Sequence, residues 1–351
     1  MAEASRLSDI ARTAVAFEWS KLTLGLAAQL APALVVVLTA GLIAGVPAAG
    51  AVAAGGALTV GFGAFQQLTT SRAVPMLFAL VGISASTFIG TLTGADAALT
   101  VGLALVYGFW CGMLPAVSMG AFWIGQQCTI YFLVAGAYAG GAGQALVRML
   151  LVLAGGIAQI AIFGTIVALE SGTAPRPLLH RVLGEGAMLL LRIRIAAGLR
   201  FAVSFAVALA AAVVAERWLA LPNGYWAAMT ALLLLRPDFH DTAARSIGRV
   251  LGTIVGASLA SVMAHFIVPG PAALAALVAL FAFFAFATVR LNYGVFALFL
   301  TGYVVFLLVL AGVTEPQVAR ARIEATTLGA AVALVTHLSL ALHNRALRPR
   351  G

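Results

Sequence analysis

Apolar runs of about twenty residues recur along almost the whole chain, each broken by a short cluster of Gly, Pro, Asn, Ser or charged residues. A bilayer-crossing helix needs about 20 predominantly apolar residues, and in lipid every backbone polar group must find its partner inside the segment. The pattern predicts an all-α polytopic membrane protein with about 12 transmembrane helices. The expected spans are 22–44, 48–65, 75–93, 97–114, 116–138 and 149–169, then 196–215, 225–235, 247–268, 271–288, 293–312 and 323–342. The first run follows Arg12 and Lys21, as a signal peptide would, but it exceeds an h-region of about 7–15 residues and is expected to be a retained span.

The two sets of six are alike. A constant shift of 174 places Gly50, Ala53, Ala54, Ala57 and Leu58 on Gly224, Ala227, Ala228, Ala231 and Leu232. The same shift places Gly120 and Phe122 on Gly294 and Phe296, Arg148 on Arg322, and Gly155 on Gly329. Alanines alone could coincide; glycines, aromatics and an arginine holding one shift indicate an internal repeat. The expected organisation is a first six-helix repeat over 1–169, a linker over 170–194, and a second six-helix repeat over 195–351 ending in a short basic tail. An even span count per half makes the repeats parallel, and substrate sites in such proteins lie near the midplane at the repeat interface.

Composition agrees with a lipid solvent: 63% of residues are hydrophobic, 9% are charged, and mean hydropathy is +1.08. Of the 20 Lys and Arg, 16 fall on the N-terminal side of the expected topology, leaving Arg148, Arg217, Arg320 and Arg322 opposite. By the positive-inside rule both termini are cytoplasmic. The net charge of +9 then follows from topology and calls for no nucleic-acid partner; the lipid bilayer is the expected surround.

Cys111 and Cys128 sit in apolar spans without metal-ligand or redox spacing. No phosphate-binding Gly-rich loop, His-Glu-x-x-His cluster or triad spacing occurs, so neither an enzyme nor a cofactor is expected. Small residues recur at every fourth position at Gly248, Gly252, Gly256 and Ala260, and at Gly82, Ser86, Gly90 and Gly94. These stripes admit either close static packing or a sliding face.

The segment Pro222-Asn223-Gly224-Tyr225-Trp226, followed by Arg236-Pro237-Asp238, Arg245, Arg249, Leu251-Gly252-Thr253 and Gly256, resembles the fusaric acid resistance (FUSC) family of bacterial inner-membrane proteins. The likeness covers about 192–342. It implies efflux of small, aromatic carboxylic acids, with room for a periplasmic adaptor protein, and a distant similarity to plant aluminium-activated malate transporters. The first half lacks the charged signature, with Phe62, Ala64 and Pro75 at the positions of Arg236, Asp238 and Arg249.

Moving an organic anion through a low-dielectric path calls for fixed positive charge, hydrogen-bond donors and aromatic surface. Arg236, Arg245 and Arg249, expected on a short cytoplasmic loop, could gather anions or pair with Asp238 and Asp241. Arg148 and Arg322, related by the repeat and opening the sixth and twelfth spans, could form a positive exit ring or snorkel to headgroups. Tyr225 and Trp226 sit at an outer span end, where an aromatic belt also explains them. Asn292, Tyr293, Thr301 and Tyr303 could bond a carboxylate, and Gln126 and Gln127 place amides at the depth of Thr301 in the repeat-related span. Glu324, His265 and His337 are the ionisable candidates for proton coupling. Three functions fit: a proton-driven exporter of small organic acids, a passive organic-anion conduit, and a non-transporting membrane scaffold.

Overall fold

The computed structural model describes residues 12–13, 16–68, 71–172, 195–219, 223–236, 239–267 and 270–346. Most of the linker expected over 170–194, Pro222, Pro237 and Asp238, and the basic tail beyond 346 lie outside the described residues. Twelve α-helices occur among the described residues. The first six are α1 (Leu24–Ile43), α2 (Pro47–Gly63), α3 (Ala73–Thr93), α4 (Ala97–Met113), α5 (Met119–Ala137) and α6 (Ala142–Ser171). The second six are α7 (Ile195–Trp218), α8 (Tyr225–Leu234), α9 (Phe239–Ile267), α10 (Pro271–Thr288), α11 (Tyr293–Leu310) and α12 (Glu315–Ala346).

Local chemistry sets several boundaries. Pro47 and Pro271 open α2 and α10, where a missing N–H is free of cost. Asp96, Ser118 and Asn292 accept backbone N–H bonds at the starts of α4, α5 and α11. Asn223, at φ 54, turns the chain into α8, a left-handed position that Asn tolerates better than most residues. Among the described residues, eight helices are long and apolar enough to cross a membrane: α1, α3, α4, α6, α7, α9, α10 and α11. The protein is an all-α polytopic membrane protein.

The main packing pairs of the first six helices recur in the second six. The pairs α3–α5, α2–α6 and α3–α6 recur as α9–α11, α8–α12 and α9–α12. Two correspondences cross between the halves: α1 packs on α10 while α7 packs on α4, and α5 touches α8 while α11 touches α2. The halves are interlocked, with the first helix of each set against the fourth helix of the other.

Glycine sets the closest approaches. A Cβ on Gly155 would collide with the Ala53 carbonyl, and one on the repeat-related Gly329 with the Ala227 carbonyl. Gly90 and Gly94 of α3 face the backbone of Phe132 and Gly136 on α5, and Gly252 and Gly256 of α9 face Gly294 and Leu298 on α11. Both small-residue stripes are therefore helix-to-helix contacts.

At the centre lie two short helices, α2 with 17 residues and α8, the shortest of the described helices, with 10. From Ala53 to Gly63 only Gly55 of α2 escapes full burial, and only Leu233 does so in α8. At 1.5 Å per residue α8 rises about 15 Å, half the thickness of a hydrocarbon core. Short apolar segments at matching places in two repeats mark the binding region of many transporters.

A cationic cavity at the centre of the bundle

A cavity of about 1600 Å³ runs between the two sets of helices. Its lining reaches both ends of the bundle: Lys21, Gln67, Arg245 and Arg290 at the end where α1 begins, and Tyr138, Arg148, Ala311 and Val313 at the other. The middle is lined by Leu58, Thr59 and Phe62 of α2, Gln126, Ile130 and Tyr131 of α5, Met229 and Leu233 of α8, and Phe296, Leu300 and Tyr303 of α11. Seven cationic residues border it, Lys21, Arg148, Arg236, Arg245, Arg249, Arg290 and Arg322, against one acid among the described residues, Glu18. Glu18 is paired with Lys21 at 2.5 Å.

Two of these cations are sealed in the wall. Arg249 on α9 is 0% exposed and Arg322 on α12 is 1% exposed, and neither makes an ion pair among the described residues. The Nε and both terminal nitrogens of Arg249 lack a hydrogen-bond partner, as do Nε and Nη1 of Arg322. The Arg322 guanidinium lies 4.9 Å from the centroid of the Trp226 ring, which supplies part of its stabilisation. Removing a charge from water costs several kcal/mol per ion unless it is paired and bonded, so about this much is left uncompensated at each arginine.

Aromatic rings link the cations. Arg245 sits over Tyr293 at 4.9 Å, Arg236 over Phe122 at 5.2 Å and Arg290 over Phe65 at 5.7 Å. Toward the far end, Arg148 lies over Tyr138 at 5.9 Å and also donates to its carbonyl. Tyr138 meets Tyr225 at 6.2 Å and Tyr225 meets Trp226 at 5.4 Å, so rings run from Arg148 to Arg322.

The cavity brings together most residues singled out from the sequence: Arg148, Arg236, Arg245, Arg249, Arg322, Tyr225, Trp226, Asn292, Tyr293, Tyr303, Gln126 and Gln127 all border it. Several stand in surroundings other than those expected. Arg249 is not on a loop; α9 begins at Phe239, and Arg249 lies nearly three turns inside it. Tyr225 and Trp226 do not form an outer belt, since they are packed inside the bundle and only 5% and 2% exposed. Arg322 does not snorkel, because the Trp226 ring holds it inward, whereas Arg148 is half-exposed.

Asn292 is occupied as a helix cap, accepting from the Gly294 and Val295 amides and donating to the Ala16 carbonyl. Gln126 donates across the bundle to the Leu232 carbonyl at 2.7 Å. Thr301 does not border the cavity and faces Thr253 of α9 at 3.5 Å. Glu324 and His265 also lie away from it. Glu324 pairs with Arg320 at 2.7 Å on an outward face, and His265 is exposed beside Phe266. The side chains of His337, Asp241 and Glu315 lie outside the described residues.

Sequence reasoning passed over Thr59 and Tyr131, whose hydroxyls lie 3.1 Å apart in the lining, and Arg290 and Lys21 at the mouth. A tyrosine in the middle of an apolar span was the available signal for Tyr131, since a buried phenol needs a partner.

The fold and cavity define a helical, multi-pass membrane protein with a positively charged interior. Residues 186–336 match the model of the family described as fusaric acid resistance protein-like. An uncharacterized protein of Synechocystis is 29% identical over 129 residues, which is 36% of this chain and 17% of that protein. The uncharacterized Escherichia coli protein YhfK is 31% identical over 113 residues, 32% of this chain and 16% of YhfK. The matched part thus covers less than a fifth of the length of these relatives. No solved structure matches the chain.

Proposed function

We propose that the protein is a secondary transporter of a bacterial inner membrane that exports small organic acids, aromatic carboxylates among them, through the central cavity. The carrying observation is the pair of buried, unpartnered arginines, Arg249 and Arg322, in the wall of a cavity bordered by seven cations and one acid. Such a wall lowers the cost of a carboxylate in low dielectric, while Phe62, Trp123, Trp226 and Phe296 offer surface to a ring or chain. The basic end faces the cytoplasm in this reading, placing both termini there, and a periplasmic adaptor could take the product at the other end. Export runs on the proton gradient.

A passive conduit is the second reading. One observation favours it: among the described residues Glu18 is the only acid bordering the cavity, and it is already paired at the mouth. Glu324 and His265 receive no coupling role from their positions.

Uptake of labelled benzoate into inside-out vesicles, with and without an imposed proton gradient, separates the readings. Gradient-dependent uptake that Arg249→Ala abolishes supports the exporter. Uptake indifferent to the gradient favours the conduit. No uptake above protein-free vesicles sinks transport of this class.

A further inference from the structure

We propose that Arg249 and Arg322 form a single site for an organic dianion, with a dicarboxylate as the preferred cargo. The inference rests on the cavity being an anion path and adds to that reading the number of charges carried. Both arginines belong to the second half, on α9 and α12, which pack against each other. Both border the same cavity, from helices that are in contact. Their repeat-related positions in the first half hold Pro75 and Arg148. Pro75 brings no charge, and Arg148 is half-exposed and bonded to the Tyr138 carbonyl. The two unpartnered cations therefore address one occupant from one side.

Charge balance then selects the occupant. A monoanion entering between two sealed guanidiniums leaves one positive charge uncompensated in low dielectric; a dianion leaves none. The free donors, three nitrogens on Arg249 and two on Arg322, match the several acceptor oxygens of two carboxylates. Ile130, Met229, Leu300 and Phe296 around the same space favour a carbon skeleton over a bare oxyanion.

Thermal melting of the full-length protein in detergent, at matched ionic strength, tests this. Phthalate and succinate should raise the midpoint in a saturable way, with apparent affinities at least about tenfold above those of benzoate and butyrate. Arg249→Gln and Arg322→Gln should each abolish the preference and leave the unliganded midpoint unchanged or higher, and Arg148→Gln should keep the preference. Equal affinity for mono- and dicarboxylates overturns the dianion site while leaving the anion path standing. Sulfate binding as tightly as succinate overturns the organic character of the occupant. A preference that survives both glutamine variants removes it from these arginines, and the absence of any anion effect sinks the site together with the reading on which it rests.

Discussion

Arg322 is held against Trp226 with two of its nitrogens unbonded and 1% of its surface exposed, an arrangement that lowers stability unless something else uses it. Replacing a buried ion pair by well-packed apolar residues of similar volume is often neutral or stabilising by about 1–4 kcal/mol, and a guanidinium without a paired carboxylate has less attraction to lose. Arg322→Met should therefore raise the melting midpoint of the unliganded protein while abolishing organic-acid flux in vesicles. A lowered midpoint with flux retained would mean that Arg322 is a packing residue. Its depth could not be obtained from the sequence. Counting arginines by side assigns each to the nearer end of its span, and the sequence holds nothing that distinguishes a guanidinium drawn inward by a ring from one that snorkels outward. The same holds for Trp226, whose position at a span end suggests an interfacial belt until α8 is found buried among its neighbours from its first turn. Residue types were legible, because a charge or a ring in an apolar run stands out. Their facing was not, because it depends on how far each helix is sunk.

At the level of elements, apolar run length located the helices to within a few residues for most spans. It erred where polar turns continue a helix: α9 begins at Phe239, not near 247, and α12 at Glu315, not near 323. These extra turns carry Arg245 and Arg320 on helix rather than loop. The repeat-related contacts of α2 with α6 and of α8 with α12 depend on Gly155 and Gly329 meeting carbonyls at Ala53 and Ala227. Overpacking such a contact costs about 1–3 kcal/mol or more. Gly155→Val and Gly329→Val should each lower the melting midpoint and the yield of folded protein, whereas Gly164→Val, with open space around its Cα, should change neither. Equal tolerance at all three positions would show that α2 and α8 are not clamped in this way. The small-residue stripes were visible as a period of four, but their partners were not, since a smooth face does not encode what lies on it.

For the molecule as a whole, the consequence of the fold is that neither set of six helices is complete. α1 lies on α10 and α7 on α4, so each set alone would bare a face of its fourth helix and lose a major partner of its first. Gly108 and Gly112 show how close the seat is: a Cβ on either would press on the backbone of Ala206 or Ala202 in α7. A constant shift of 174 revealed that there are two similar sets, yet a linear comparison cannot show that the sets exchange helices. Apolar faces separated in lipid lose packing rather than hydrophobic burial, and the cavity, with cations mostly from one set and Thr59, Gln127 and Tyr131 from the other, exists only when both are present. Residues 1–172 and 195–351 expressed separately should each be degraded or remain protease-sensitive in the membrane. Expressed together as two chains, they should co-purify, resist protease and restore the dicarboxylate-dependent rise in melting midpoint. Stable, protease-resistant halves expressed alone would instead make the two sets independent domains, and the reciprocal contacts of α1 with α10 and of α7 with α4 would then be incidental to folding.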